Sequence, residues 1–104
     1  MNDKFYSTLS LSMRAKKLVY GFDTVNENAK AKNVFLLLTA SDLSPKTAKE
    51  VLFIANKENI PHLYLEKTMD DLENLIGKKT GVLGITDHGF AQNLIQNKTE
   101  ESNI

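Results

Sequence analysis

Seven residues, Asn33-Val34-Phe35-Leu36-Leu37-Leu38-Thr39, form a charge-free and nearly unbroken apolar run. The run has the length of a strand but not the alternation of a strand with one wet face. It therefore predicts a central strand covered on both sides. A sheet covered on both sides needs a layer of helices above and below it, which restricts the chain to α/β architectures.

The flanking sequence supplies those helices. Phe5, Leu9 and Met13 recur at four-residue spacing and predict the buried stripe of a first helix. Leu18-Val19-Tyr20 reads as a short strand, and after Gly21 the residues Phe22, Val25 and Ala29 define the inner face of a second helix. Ser44-Pro45 opens a third: Ser44 can cap it, and proline fits the first helical position because its missing N–H costs nothing there. Ala48, Val51, Leu52 and Ala55 keep helical spacing until Asn59 and Pro61 stop it. His62 to Leu65 reads as the next strand. Thr68 and Asp71 have the spacing of a capping box ahead of Met69, Leu72, Leu75 and Ile76, with Gly77 as the C-terminal cap. Val82 to Ile85 is a last buried strand, and Asp87 can cap a helix carrying Phe90, Ala91, Leu94 and Ile95.

These segments predict an α/β fold, a three-layer α/β/α sandwich of four strands and five helices. Five helices cannot all sit on one face of so small a sheet. Residues 1–97 read as one domain, and the polar segment 98–104 as a disordered tail. A chain of 104 residues buries about 60–70% of its unfolded surface in one core.

Composition narrows the function classes. There are no cysteines, so a disulfide framework, a thiolate metal site and a cysteine nucleophile are all excluded. No apolar run approaches the length of a membrane span, and no signal-peptide core is present, so a cytoplasmic protein without a membrane partner is expected. Thirteen Lys+Arg balance thirteen Asp+Glu, which argues against a generic polyanion binder. The distribution is uneven, however: residues 1–32 hold six Lys/Arg against three Asp/Glu.

Catalytic and metal chemistry finds little support. His62 follows Pro61 at a strand start, where local packing explains it. His88 stands beside Asp87 at a helix entrance, where capping accounts for the acid. No spaced set of three His/Asp/Glu ligands is visible, no serine lies in a G-x-S-x-G turn, and no cofactor is implied. Asp70 and Asp71 fall in a first helical turn, which favours acids. Gly77-Lys78-Lys79-Thr80-Gly81 has the composition of a nucleotide loop but the reverse element order, helix before strand. It reads as a connector whose lysines can touch a nucleic-acid backbone.

The segment Met13 to Glu27 carries more. A basic cluster, Arg14, Lys16 and Lys17, leads into the first strand, and Gly21 turns the chain into a helix whose exposed flank holds Asp23, Glu27 and Lys30. Backbone amides at such a turn, with cations nearby, suit phosphate. The acids do not, and a solvated helix end with Asp23 serving the helix N-terminus explains the same residues without a ligand.

The run Met13-Arg14-Ala15-x-Lys17-Leu18-Val19-x-Gly21 resembles the N-terminal signature of the bacterial YlxQ-type proteins. Those proteins are small relatives of the large-subunit ribosomal proteins that recognise kink-turn RNA. Ala40-Ser41-Asp42-x-Ser44-Pro45-x-Thr47, Ile76-Gly77-Lys78 and Thr86-Asp87-x-Gly89-Phe90-Ala91 follow in order, so the resemblance covers about residues 5–96. It implies a four-stranded mixed sheet and an RNA-facing surface that joins the Gly21 turn to the connector Lys78 to Val82. In the kink-turn-binding relatives the glycine precedes a Thr-Asn-Glu type sequence, with a lysine six residues after it. Here Phe22, Asp23, Thr24 and Glu27 occupy those positions. An asparagine both donates and accepts at a base edge, whereas ionised Asp23 only accepts. Glu27 replaces attraction to phosphate with repulsion.

The resemblance thus implies RNA binding as a class, while Asp23 and Glu27 depart from the kink-turn pattern; a small non-catalytic monomer that binds ribosomal or other structured RNA is expected. Arg14, Lys16, Lys17, Lys30, Lys78 and Lys79 are the expected phosphate contacts. Gly21 is the point of close approach, and Phe22, Asp23, Thr24, Glu27 and Thr80 complete the surface. The alternative is a protein-interaction module that keeps the fold without RNA binding, with Tyr20 and Phe22 as anchors for a partner in a ribonucleoprotein.

Overall fold

The structure, a computed structural model, describes residues 3–102. Nine elements alternate along the chain: α1 (Asp3–Arg14), β1 (Leu18–Tyr20), α2 (Phe22–Lys30), β2 (Leu36–Thr39), α3 (Pro45–Glu58), β3 (His62–Tyr64), α4 (Met69–Ile76), β4 (Val82–Ile85) and α5 (His88–Ser102). The sheet order is β1-β4-β2-β3. β4 pairs antiparallel with both β1 and β2, whereas β2 and β3 are parallel, so the sheet is mixed.

The apolar run does form an interior strand, shorter than expected. Only Leu36–Thr39 is strand, and all four residues are buried. Leu36 and Leu38 join α1, α4 and α5 in one core with Phe5, Leu9, Leu72 and Leu94. Leu37 points the other way, into a second core with Val25 and Ala29 of α2 and Val51, Ile54 and Ala55 of α3. Period-two geometry splits one apolar run between two layers. Phe35, read as part of that buried run, is instead 37% exposed at its mouth. In α3 the buried face is Val51, Ile54 and Ala55, with Leu52 only half-buried.

Helix ends follow local chemistry. Ser44 accepts the Thr47 N–H with Pro45 at the first helical position, and Asn59 closes α3 at φ 57°. Thr68 and Asp71 form a complete reciprocal capping box, with distances of 3.1 and 3.0 Å. The Thr68 backbone N–H first, and then the Thr68 hydroxyl beside the carboxyl, hold Asp71 below its ordinary pKa. Asp87 accepts the Phe90 N–H at 2.9 Å. The segment after Asn97, expected as an irregular tail, carries α5 on to Ser102; residues 103 and 104 lie outside the described residues. Good helix formers (Lys98, Glu100, Glu101) offer no stop there, and Lys98 reaches Glu66 at 3.8 Å.

Two helices end on lysine rather than glycine. Lys16 (φ 60°) and Lys32 (φ 62°) occupy the left-handed position that closes α1 and α2. The Lys16 N–H donates to Met13 O and the Lys17 N–H to Ser12 O, a Schellman pattern that Lys32 and Asn33 repeat on Ala29 and Asn28. Among the described residues no helix is long and apolar enough to cross a membrane.

Candidate nucleic-acid interface

Gly21 is the N-cap of α2 at φ 88° and ψ 140°, a conformation that favours glycine, and a Cβ placed on it would meet nothing within 4 Å beyond its two chain neighbours. Strain, not crowding, selects glycine, and the space in front of its backbone is open. The Gly21 N–H donates to Val82 O at 3.0 Å. That bond welds the β1–α2 turn to the connector that enters β4. Lys78, in this connector, holds its ammonium 5.7 Å from the centre of the Tyr20 ring. It makes no ion pair among the described residues. An open glycine, an exposed aromatic ring and a free cation therefore share one corner of the molecule.

Asp23 and Thr24 lie exposed in the first turn of α2, and Glu27 follows on the same flank one turn later. Lys79 sits beside Lys78 but is bonded to Asp70 at 2.9 Å. That bond is the chief reason its ammonium stays protonated to higher pH than an ordinary lysine, with Asp70, Glu73 and Asp42 adding their field. Both partners are largely exposed, so the pair is weak and a phosphate can replace the carboxylate.

Other candidate residues lie elsewhere. The Thr80 hydroxyl is buried and turned inward: it donates to Val82 O at 3.1 Å and accepts the Val82 N–H at 3.3 Å. A short hydroxyl closing its own turn serves the connector, not a ligand. Phe22 packs on the α2/α3 core and, with Lys30, lines a hollow of about 430 Å³ between those helices. Eight residues of helix separate the two, about 12 Å, and Lys30 contributes to the field that keeps the Glu58 carboxyl low, behind the hydrogen bond from Lys32. Lys30 thus faces α3, away from the Gly21 corner.

The basic cluster is also displaced. Lys17 O accepts the Thr86 N–H at 2.9 Å, which puts Lys16 and Lys17 beside the C-terminal end of β4. Gly21 sits at the N-terminal end of the same strand, about 13 Å away along β1. Arg14, exposed at the end of α1, borders a third hollow with Tyr6, Ser10 and Lys67. Sequence proximity placed these cations together with Gly21; the three-residue strand between them carries them to opposite ends of the sheet. Tyr20 and Lys78 were the reverse case. Their contact depends on β4 lying next to β1, and no local signal reveals that neighbour.

The histidines are held by structure. His62 Nε2 lies 2.9 Å from Thr39 Oγ1, and burial pushes its pKa below 6.5. His88 is exposed, its ring edge-to-face with Phe35 at 5.6 Å. Among the described residues no group of three His, Cys, Asp or Glu is arranged to hold a metal ion.

Residues 3–95 match the family described as ribosomal protein L7Ae/L30e/S12e/Gadd45. The chain belongs to this family. Among its relatives, it is 34% identical over 93 residues to the RNA-binding protein YlxQ of Bacillus subtilis (strain 168), covering 88% of this chain and 92% of that protein. It is 36% identical over 92 residues to RNA-binding protein YlxQ of Enterococcus faecium, covering 86% and 85% respectively. A structure of a protein with unknown function from Bacillus halodurans C superposes with a TM-score of 0.86 at 29% identity, over 90% of this chain and 95% of that one. The Giardia lamblia 15.5kD RNA binding protein shares the fold at a TM-score of 0.78 and 12% identity, over 100% and 93%. The YlxQ-type resemblance of the sequence and the L7Ae-type α/β sandwich therefore agree.

Proposed function

We propose that this L7Ae-family chain is a small non-catalytic RNA-binding protein that acts on structured RNA, ribosomal RNA in the first instance, in the cytoplasm. One observation carries the reading from fold to site: the Gly21–Val82 backbone bond, with Lys78 over Tyr20, gathers an open glycine backbone, a ring and a free cation at one corner. An RNA backbone approaching Gly21 meets no side chain within 4 Å of the Cβ position apart from those of its two chain neighbours. Lys78, and Lys79 once released from Asp70, neutralise phosphates. Tyr20 offers an apolar face to an unstacked base. Asp23 and Thr24 accept hydrogen bonds from base amino groups beside the glycine. RNA-binding relatives at 34–36% identity support the same reading.

The asparagine and lysine of the kink-turn pattern are replaced by Asp23 and Glu27, so the target is a structured RNA read without those two groups. Binding through about three to five phosphates predicts an affinity that falls about 20- to 500-fold between about 50 and 200 mM salt. Filter binding or anisotropy with a hairpin RNA containing an internal loop measures this. Lys78→Glu should weaken binding about tenfold or more and lower the salt slope by about one. Affinity that is absent, or indifferent to salt, refutes the reading.

A further inference from the structure

The cluster Lys16 and Lys17, at the sheet end opposite Gly21, has ring-bearing neighbours there. Because Leu18 and Leu36 both stand opposite Ile85, Lys17, Thr86 and Phe35 form a row across the ends of β1, β4 and β2. The Lys17 carbonyl accepts from Thr86 N–H at 2.9 Å, and Phe35 N–H donates to Ile85 O at 2.8 Å, so the row is fixed by backbone bonds. Two strand spacings separate Lys17 from Phe35, about 10 Å. The Phe35 ring is 37% exposed and stands edge-to-face with the exposed His88 ring at 5.6 Å. A hollow of about 330 Å³ beside this pair is lined by Lys32 and Gln92.

The charges around this patch favour an anion. Glu58, which lines the same hollow, is paired with Lys32 at 2.8 Å, and Asp87, next to His88, is turned to its own helix start, where it accepts the Phe90 N–H at 2.9 Å. Lys16 and Lys17 are exposed and have no ion-pair partner among the described residues. Free cations beside exposed rings are the elements of a single-strand platform, with phosphates on the lysines and a base on the ring face. A nucleic-acid strand supplies these unpaired lysines with a phosphate at every nucleotide, and its bases can use the exposed rings beside them.

We infer that Lys16, Lys17, Phe35 and His88 form a second RNA contact, which takes a single-stranded segment flanking the structured element held at the Gly21 corner. This rests on the RNA-binding reading above and extends it to a molecule contacted at both ends of its sheet.

The test uses one internal-loop hairpin RNA, bare or extended at its 5′ or 3′ end by about eight unpaired nucleotides, near the length such platforms hold. The full chain should bind one of the extended RNAs about five- to tenfold more tightly than the bare hairpin. Lys16→Glu with Lys17→Glu, and separately Phe35→Ala, should remove that gain and leave the bare hairpin's affinity unchanged. Phe35→Tyr should retain the gain, and Lys78→Glu should weaken all the RNAs. If neither extension tightens binding, or the variants keep the gain, the second contact is refuted while hairpin binding still upholds the first. If Lys16→Glu with Lys17→Glu weakens the bare hairpin equally, there is one continuous surface and the inference fails. If the folded chain binds none of these RNAs, the RNA-binding reading fails with it.

Discussion

Asp23 and Glu27 occupy the α2 flank that starts at Gly21, and Asp23, in the first turn, serves the helix it opens. An acid in the first turn of a helix complements the macrodipole by about 0.3–1 kcal/mol. The same charge beside Gly21 repels a phosphate and cannot donate to a base. Asp23→Asn with Glu27→Lys exchanges one benefit for the other. The double variant should bind the hairpin RNA about tenfold more tightly, with a salt slope steeper by about one, because one new cation meets phosphate. Its thermal midpoint should fall slightly through the lost first-turn charge. Isothermal titration and differential scanning calorimetry separate the two effects. Unchanged RNA affinity in the double variant would show that this flank of α2 lies outside the RNA contact.

At the scale of elements, α2 is held close to the sheet by the absence of a side chain at Gly84. A Cβ there would lie 3.2 Å from Val19 Cγ2 and 3.4 Å from both Val25 Cγ1 and Val34 Cγ1. Three β-branched side chains from β1, α2 and the entry to β2 surround one point, and their stiff χ1 angles leave little room to yield. Gly84→Ala should therefore destabilise the fold by about 1–3 kcal/mol, read as a lower urea midpoint at unchanged slope. The elements themselves were legible because their signals are local: Ser44-Pro45, the Thr68/Asp71 pair and Gly77 each act within one helical turn. The strand order was not, since inserting β4 between β1 and β2 is decided by contacts distant in sequence. That insertion decides the site. It brings Lys78 to Tyr20, while the short β1 carries Lys16 and Lys17 to the far end and Phe35, just outside β2, stays partly exposed. Thr80 escaped for a smaller reason: a threonine in a basic connector looks like a ligand until its hydroxyl is seen closing the turn to Val82.

For the molecule as a whole, three helices cover one face of the sheet and two the other. The lighter layer leaves the β3 edge partly open: Tyr64 is 61% exposed, and His62, edge-to-face with it at 4.5 Å, is only half-buried. Burial there still disfavours the imidazolium, so the folded-state pKa of His62 lies below the ordinary 6.5. Above pH 6.5 the ring is neutral in both folded and unfolded chains and there is no penalty. As pH falls below 6.5 the unfolded chain takes up the proton first, and stability is lost until the folded ring also titrates. Glu58 and Asp71 act in a separate window. Their folded pKa values lie below the ordinary 4.5 and 3.8, so the stability they contribute is present above those values and lost only at more acid pH. Between pH 7 and 5 the urea midpoint should therefore decline through His62. His62→Gln keeps a polar partner for Thr39 without a titrating proton and should flatten that decline. Parallel midpoint curves for wild type and variant over this range would assign the pH dependence to other groups.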